Sequence, residues 1–236
     1  MCGRYASYRQ AQELADAFDV EEVSEAAAAV VASYNVAPTD AVRVVLERPA
    51  TETGDAPRRE LHAARWGLVP AWADDVRIGS RLINARWETA DSRRAFRTSL
   101  VKRRCVVPAD GYYEWERRDG HKVPVYIHDD DGAPLAFAGL YAWWRDPAKA
   151  EDDPARWLLS ATILTTDAVD ELGRIHDRTP VVLGPDRLAA WLDPARQDPA
   201  AAKSLLAEPP PRLAFHEVST RVNAVRNDGP DLIAPV

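Results

Sequence analysis

The feature that most constrains the fold is a series of strand-like segments in the middle of the chain, separated by short turn sequences. Asp119-Gly120 and Asp131-Gly132 are dipeptides that favour the tight turns of β-hairpins. The segments around them alternate between apolar and polar side chains or run apolar, as strands of a half-buried sheet do. Consecutive strands joined by tight turns pair in antiparallel fashion, so this region predicts an antiparallel sheet. Its predicted strands are 105–107, 112–116, 123–128, 135–141 and 157–165.

Short helices and further strands complete the predicted architecture. Ser7 opens a capping-box pattern, and Ala11, Leu14 and Phe18 follow at helical spacing, which predicts a helix over about 8–18. The other predicted elements are strands at 43–47, 60–66, 181–183 and 213–218, helices beginning after Thr89 or Asp91 and at 186–192 and 200–206, and loops at 51–59 and 147–154.

This pattern predicts one α+β domain over residues 1–236. Its centre is a mainly antiparallel, barrel-like β-sheet with flanking short helices, because the predicted strands are numerous and follow one another in hairpins. No internal repeat divides the chain, and its length allows one sizeable core. The tail from about residue 220 is polar, and we expect it to pack loosely.

Charge is distributed unevenly along the chain. The net charge of −7 argues at first against a polyanionic partner. Between Arg77 and Arg104, however, nine basic residues face only two acidic ones, so this segment carries +7 and the remainder −14. A solvated helix face and a phosphate-binding surface both explain such a segment.

The composition excludes several classes of protein. No apolar run approaches the roughly 18–20 residues that a membrane helix needs, and the first residues lack the apolar block of a secretion signal. We therefore expect a cytoplasmic monomer that does not bind membranes. Only Cys2 and Cys105 are present, so no disulfide framework is expected. The five histidines lack metal-binding spacings, and we expect neither metal nor cofactor.

Cys2 is the residue with the most distinctive chemistry. An aminopeptidase is expected to remove Met1 before so small a side chain, which leaves Cys2 with both a free amine and a thiol. Reference pKa values of about 7.7–8.0 for the amine and about 8.5 for the thiol make both groups nucleophilic near neutral pH. A 1,2-aminothiol can trap an aldehyde as a Schiff base and then close a thiazolidine ring. Position alone leaves open that Cys2 is incidental.

Six stretches are too unusual for generic strands or turns. They are CGRY at 2–5, YNVAPT at 34–39, WGLVPAW at 66–72, NARWET at 84–89, RCVVPADGYYEW at 104–115 and IHDRTP at 175–180. In content and order they resemble the SRAP family, the SOS response-associated proteins that crosslink to abasic sites in single-stranded DNA. The resemblance covers nearly the whole chain and implies the SRAP fold. One departure is Thr179, where family members often carry Met; it affects packing beside His176.

The resemblance implies four catalytic residues. Cys2 would trap the aldehyde of the ring-opened abasic sugar, and Glu114 and His176 would move the protons that this reaction requires. Asn84 would hold the sugar or the carbinolamine oxygen, since it donates and accepts without titrating. Each residue type also has an ordinary role: Glu114 as a strand carboxylate facing water, His176 as a surface or core histidine, and Asn84 as a helix cap.

A DNA surface is implied by the same motifs. Arg86 and Arg4 are suited to grip phosphates beside the lesion, and Arg77 and Arg81 to contact the backbone on the same face. Most tryptophans should lie in the core, but those inside the motifs, together with Pro38, could stack on a base or wedge the strand. The tryptophans concerned are Trp66, Trp72 and Trp115.

The expected partner is therefore single-stranded DNA that contains abasic sites, with junctions of single and double strands left open, and binding would place the protein on the nucleoid. The predicted function is a sensor that forms a reversible thiazolidine crosslink and shields the lesion. Self-cleavage that removes Met1, and weak lyase activity through the Schiff base, would accompany it. The alternatives are a thiol protease acting through Cys2 and a non-covalent single-strand-binding module.

Overall fold

The computed structural model of the chain describes residues 2–49 and 57–236, and this part holds thirteen strands and six α-helices. The strands are β1 (Tyr5–Ser7), β2 (Glu22–Val23), β3 (Ser33–Val36), β4 (Ala41–Arg48), β5 (Arg58–Trp66), β6 (Asn84–Arg86), β7 (Arg104–Ala109), β8 (Gly111–Arg118), β9 (His121–Asp129), β10 (Leu135–Arg145), β11 (Trp157–Asp167), β12 (Arg178–Pro180) and β13 (Leu213–Glu217). The helices are α1 (Ala11–Ala17), α2 (Glu25–Ala28), α3 (Arg97–Lys102), α4 (Asp170–Ile175), α5 (Pro185–Leu192) and α6 (Pro199–Leu206).

A five-stranded β-barrel forms the centre of the described residues. Strands β5, β4, β7, β10 and β11 pair in that order, all antiparallel. The barrel closes where β11 runs parallel to β5, with Ser160 opposite Arg65 and Ala161 opposite Trp66. Closure removes the open edges that would otherwise expose unpaired backbone groups. The fold class predicted from the sequence, a mainly antiparallel and barrel-like sheet with short helices, is confirmed.

A second, antiparallel sheet packs beside the barrel and holds the amino-terminal segment. Its strand order is β13, β9, β8, β1 and β3, so β1 has a neighbour on either side. Tyr5 lies opposite Tyr112 of β8 and Val36 of β3, which fixes the residues just before it against the sheet. Position 2 is thereby tied to the long strand β8.

Two large apolar cores stabilise this arrangement. One fills the barrel and includes Cys2, Tyr5, Trp66 and Phe137, with the Tyr5 and Trp66 rings edge to face at 5.1 Å. The other lies between the barrel wall and the helices and includes Leu14 of α1, Leu100 of α3, Trp191 of α5 and Leu206 of α6. Cys2 therefore belongs to the barrel core rather than to a mobile terminus.

Several predicted elements begin or end elsewhere in the structure. The helix expected over 8–18 starts at Ala11, because Gln10 and Glu13 form the capping box and Ser7 belongs to a strand. The basic helix starts only at Arg97, after a 3-10 turn at Trp87–Thr89. The late strand is β12 rather than 181–183. Of the loop expected at 51–59, residues 51–56 lie outside the described part, and 58–59 belong to β5.

The carboxyl-terminal segment 219–236 is joined to the second sheet, where loose packing was expected. Val222 and Leu232 are fully buried, and Val218 and Pro235 form an isolated β-bridge. The imidazole of His216 contacts the Ile233 carbonyl at 2.8 Å. Within the described residues, no helix is both long and apolar enough to cross a membrane.

Candidate functional site

Cys2 is completely buried where the two sheets meet. Its Sγ lies 3.9 Å from the Arg4 carbonyl oxygen, and the same carbonyl accepts a hydrogen bond from the Tyr113 amide at 3.0 Å. Burial raises the pKa of the Cys2 thiol, and the negative charge of Glu114 adds to the effect. The thiol is therefore neutral near pH 7 and needs a base before it can act as a nucleophile.

Asn84 contacts Cys2 from the barrel side. Strand β6 runs parallel to β11 with Asn84 opposite Ile163, and the Asn84 side-chain amide donates to the Cys2 carbonyl at 2.6 Å. Its Oδ1 is buried and has no hydrogen-bond partner among the described residues. A buried acceptor of this kind is costly unless something supplies a donor. Asn84 lies in a strand and caps no helix, and its amide oxygen remains able to accept a hydrogen bond from a substrate.

Glu114 faces the interior rather than the solvent. It lies on β8 opposite Val125 of β9, and 3% of its surface is exposed. Desolvation raises its pKa to about 7, and the Asp177 carboxylate contributes to the rise. A carboxyl group with such a pKa can both accept and donate a proton near neutral pH.

His176 follows helix α4, which packs against β8. Its backbone amide donates to the Leu172 carbonyl at 3.0 Å, which ends the helix. Its Nδ1 lies 3.0 Å from the Arg178 amide and 2.7 Å from a carboxylate oxygen of Asp177, so the ring is oriented by its own loop. Burial lowers the pKa of His176, and the imidazole is therefore mainly neutral at pH 7.

Residues beyond the predicted set support the His176 loop. Arg178 is buried and makes a bidentate ion pair with Glu88 at 2.8 and 2.9 Å, as well as a contact of 2.6 Å with Asp167. Thr179 forms a 2.7 Å hydrogen bond with the Tyr112 phenol. The only signal in the sequence was the departure at Thr179, and nothing in the sequence linked it to Tyr112.

The predicted phosphate-binding arginines differ in how they are held. Arg86 ends β6 opposite Thr165 and is exposed. Arg4 is half-buried, and its Nη1 donates to the Asn35 side chain at 2.7 Å and to the Val222 carbonyl at 2.9 Å. Part of the Arg4 guanidinium is thus occupied by intramolecular contacts.

Arg77 and Arg81 lie on one 3-10 helix, Val76–Arg81, and both are exposed. Asp75, which caps this helix, accepts from the Arg77 guanidinium at 2.7 Å. The surrounding basic segment is not uniform, because Arg104 is buried and donates to the main-chain carbonyls of Leu100 and three other residues. Part of the +7 charge therefore serves the fold.

The motif aromatics separate into core and surface. Trp66 is fully buried and donates to the Ile83 carbonyl, so it is a core residue. Trp72 is 44% exposed, with the Arg94 guanidinium 4.4 Å from its ring centre. Trp115 is partly exposed and donates to the Asn223 side chain at 2.6 Å. Trp72 and Trp115 retain the exposure that stacking on a base requires.

Pro38 lies in the tight turn between β3 and β4. The next residue, Thr39, has a φ of +80°, a strained conformation for a β-branched side chain. Hydrogen bonds from the Thr39 amide to the Trp66 carbonyl and from the Trp66 amide to the Asp40 carbonyl, both 2.9 Å, hold the turn in place. The Pro38 ring is therefore presented on a rigid support.

The part of the chain that the structure describes contains no cluster of three or more His, Cys, Asp or Glu side chains placed to hold a metal ion. The groups that the candidate site includes are a thiol, a carboxyl group with a raised pKa, an imidazole and an amide.

Comparison with known proteins gives consistent matches. Residues 1–225 match the model of a family described as SOS response associated peptidase (SRAP). The abasic site processing protein YoqW of Bacillus subtilis (strain 168) is 36% identical over 236 residues, which is 99% of this chain and 99% of that protein. The abasic site processing protein HMCES of Gallus gallus is 35% identical over 228 residues, covering 86% of this chain and 66% of that protein.

Solved structures resemble the whole fold. The crystal structure of a protein from Bacteroides thetaiotaomicron superposes with a TM-score of 0.81 at 22% identity and covers 100% of both chains, which shows the shared fold. The structure of a Bordetella bronchiseptica protein has a TM-score of 0.74 at 27% identity and covers 92% of this chain and 100% of that one.

Proposed function

The chain belongs to the SOS response-associated peptidase family, as its motifs predicted, and on that premise we propose that it acts on abasic sites in single-stranded DNA by forming a covalent crosslink through Cys2. The observation that carries the proposal is the contact of Cys2 with Asn84 beside the buried carboxyl group of Glu114. These groups supply what a thiazolidine-forming reaction needs: an aminothiol, a hydrogen-bonding amide and a proton carrier.

The reaction begins once Met1 has been removed, because only then does Cys2 carry a free amine. The amine adds to the C1′ aldehyde of the ring-opened sugar and gives a carbinolamine, which loses water to give an imine. The thiol then adds to the imine carbon, and its proton passes to the nitrogen as the five-membered ring closes. No oxidant or further reactant is required.

Glu114 is suited to the proton transfers of these steps. With a pKa of about 7 it can protonate the carbinolamine hydroxyl, which leaves as water, and then, as the carboxylate, accept the thiol proton. The thiol needs such a base because burial raises its own pKa. His176, mainly neutral at this pH, is suited to proton exchange at the sugar hydroxyl during ring opening and during the reverse reaction.

DNA would be held on the face that carries Arg86, Arg77 and Arg81, with Arg4 beside the lesion. Trp72, Trp115 and Pro38 offer surfaces for stacking, which depends little on base identity. We expect the affinity to depend on the presence of the lesion more than on the surrounding base sequence, and to fall as the salt concentration rises. Junctions of single and double strands are further candidate substrates, because a rigid Pro38 turn could support the last base pair.

The test is incubation with a single-stranded oligonucleotide that contains one abasic site, followed by a denaturing gel. We expect a covalent band with the wild type, after intact mass has verified the loss of Met1, and none with Cys2→Ala. Because Cys2→Ala keeps an α-amine, it can still form an imine, and without ring closure it should cleave the strand by β-elimination more than the wild type does. Absence of a band with processed wild-type protein would refute the proposal.

A second candidate activity is peptide cleavage, which the family description suggests. The complete burial of Cys2 favours cleavage of the chain's own Met1–Cys2 bond over attack on extended peptides of other proteins. The test is expression with methionine aminopeptidase inhibited, followed by intact mass. Loss of Met1 in the wild type but not in Cys2→Ser would establish self-processing, and retention in both would exclude it.

A further inference from the structure

We propose that Tyr112 and Thr179 form a positioning pair, in which the hydrogen bond between their side chains fixes the loop that carries His176 against the strand that carries Glu114. The inference rests on the proposed function in so far as His176 and Glu114 serve one reaction. The contact itself stands apart from that function and can be tested without it.

The two side chains lie between the strand that carries Glu114 and the segment that follows His176. Tyr112 and Glu114 are two residues apart on β8 and so project from the same face of the strand. Thr179 lies on β12, three residues after His176. Their oxygens are 2.7 Å apart, with Tyr112 completely buried and Thr179 8% exposed. This hydrogen bond therefore links the Glu114 strand directly to the segment that follows His176.

The Tyr112 ring is itself held rigidly. It packs edge to face on Phe137 of β10, with the ring centres 5.8 Å apart, and belongs to the same core as Cys2. Burial raises the pKa of Tyr112, and the charges of Cys2 and Glu114 contribute to the rise. A fixed phenol gives Thr179 a fixed partner.

The neighbouring contact, made by Arg178, does not duplicate this link. Arg178 pairs with Glu88 and Asp167, so it ties the loop to the segment after β6 and to β11. Thr179 ties the same loop to β8. The two contacts hold the His176 loop from two directions, and of these two the hydrogen bond of Thr179 is the one that reaches the strand that carries Glu114.

Removal of either hydroxyl leaves its buried partner without a hydrogen bond, a state that proteins avoid by local rearrangement or entry of water. Thr179→Val deletes the hydroxyl while keeping the shape of the side chain, and Tyr112→Phe deletes the other oxygen. Thr179→Ser keeps the hydroxyl and serves as the matched control. These variants leave Cys2, Asn84, Glu114 and His176 unchanged.

The first experiment follows the His176 imidazole by NMR across pH, with its signal assigned from its absence in His176→Gln. Burial lowers the pKa of His176, as does the positive charge of the amino terminus, whereas the Asp177 carboxylate raises it; both charged groups are present in every variant. We expect the titration midpoint to rise in Thr179→Val and Tyr112→Phe, because a loosened loop hydrates the ring, and to stay at the wild-type value in Thr179→Ser. A wild-type midpoint in both Thr179→Val and Tyr112→Phe would overturn the proposal.

The second experiment measures the crosslinking rate at saturating abasic DNA, well below the melting temperature of each variant. We expect each single deletion to slow the reaction about tenfold, and the double variant to be no slower than either, because one interaction is lost only once. Thr179→Ser should react within about twofold of the wild type. Affinity for DNA with an unreactive tetrahydrofuran analogue should stay within about twofold in all variants.

The outcomes separate the two proposals. If the wild type crosslinks and both deletions react at the wild-type rate, the positioning pair is refuted while the proposed function stands. Additive losses in the double variant would also refute it, since independent effects do not describe one hydrogen bond. If the processed wild type forms no crosslink, the proposed function fails, and the His176 titration alone decides whether the pair positions the loop.

Discussion

Glu114 is the residue at which the electrostatics of the site are most unusual. A carboxyl group that moves from an ordinary pKa of 4.5 to about 7 on folding does so because the buried charged form has lost its water. The same burial that gives Glu114 a useful pKa must therefore cost stability at neutral pH. The neutral thiol of Cys2 has the same cause, and both groups depend on proton transfer before they react.

We predict that Glu114→Gln reduces the pH dependence of stability. Between pH 4.5 and about 7 the folded protein holds a proton that the unfolded chain has released, so the wild type loses stability as pH rises through this window. Glutamine cannot ionise and avoids a penalty on the order of 3 kcal/mol. Urea unfolding at pH 5 and pH 8 measures the effect. Parallel pH dependence in the two proteins would contradict the assigned pKa.

Arg86 offers a test of the DNA surface with a control, Arg145, on another strand that pairs with β11. Arg86 lies opposite Thr165 of β11 and Arg145 opposite Trp157, roughly 26 Å further along that strand. We predict that Arg86→Glu weakens binding of abasic single-stranded DNA and lowers the slope of log affinity against log salt by about 1. Arg145→Glu makes the same charge change and should bind more tightly than Arg86→Glu. Fluorescence anisotropy measures both affinities. Equal affinities of Arg86→Glu and Arg145→Glu would show that Arg86 does not contact the DNA.

At the scale of elements, two glycines decide where the arginine-bearing 3-10 helix lies. A Cβ on Gly79 would come within 2.5 Å of the Gly67 carbonyl oxygen, and a Cβ on Gly67 within 2.5 Å of the Gly79 carbonyl oxygen. Gly67 directly follows β5 and has a φ of +123°. The close approach of the two backbones seats Arg77 and Arg81 beside the end of the barrel.

We predict that Gly79→Ala lowers the free energy of unfolding by about 1–3 kcal/mol, because the clash involves backbone that cannot rotate away. It should also weaken DNA binding by displacing Arg77 and Arg81. Gly120→Ala is the control, since nothing lies within 4 Å of its Cβ and its cost comes only from a positive φ. Thermal melts measure the stability and fluorescence anisotropy measures the DNA affinity. If Gly79→Ala is destabilised but binds DNA with wild-type affinity, the 3-10 helix does not contribute to binding.

At the scale of the whole molecule, the carboxyl-terminal segment joins regions that are distant in sequence. The Val222 carbonyl accepts from Arg4, and the Asn35 amide donates to the Ala224 and Asn227 carbonyls. Asn223 accepts from Trp115. The tail thus contacts the segment after Cys2, the strand before Pro38 and a candidate stacking residue.

The tail contains a matched pair of valines for testing how much it stabilises the fold. Val222 is fully buried, whereas Val225 is 54% exposed. We predict that Val222→Ala costs about 1–3 kcal/mol of stability and that Val225→Ala changes it by less than about 0.5 kcal/mol. Chemical denaturation of both variants measures the difference. Equal stabilities would mean that the tail contributes little to the fold.

Much of this protein was readable from local sequence. Strand periodicity and Asp-Gly turns depend on neighbouring residues, so the sequence alone determined the antiparallel hairpins of β8, β9 and β10 and the mixed class of the fold. Cys2 and the six motifs likewise identified the family, because side-chain chemistry and order are properties of the chain itself. The boundaries of the elements were predicted less accurately than their type. More than one stretch before α1 has the pattern of a helix cap, and only the contacts between Gln10 and Glu13 show where the helix begins.

Tertiary structure decided everything that joins residues distant in the chain. The parallel pairing of β5 with β11 closes the barrel, and no local pattern specifies such a partner. Burial gives Glu114 its pKa, assigns Trp66 to the core and leaves Trp72 exposed. The hydrogen bond of Tyr112 to Thr179 spans 67 residues. Sequence fixes which groups are present, but desolvation and hydrogen-bond geometry arise only when packing brings those groups together.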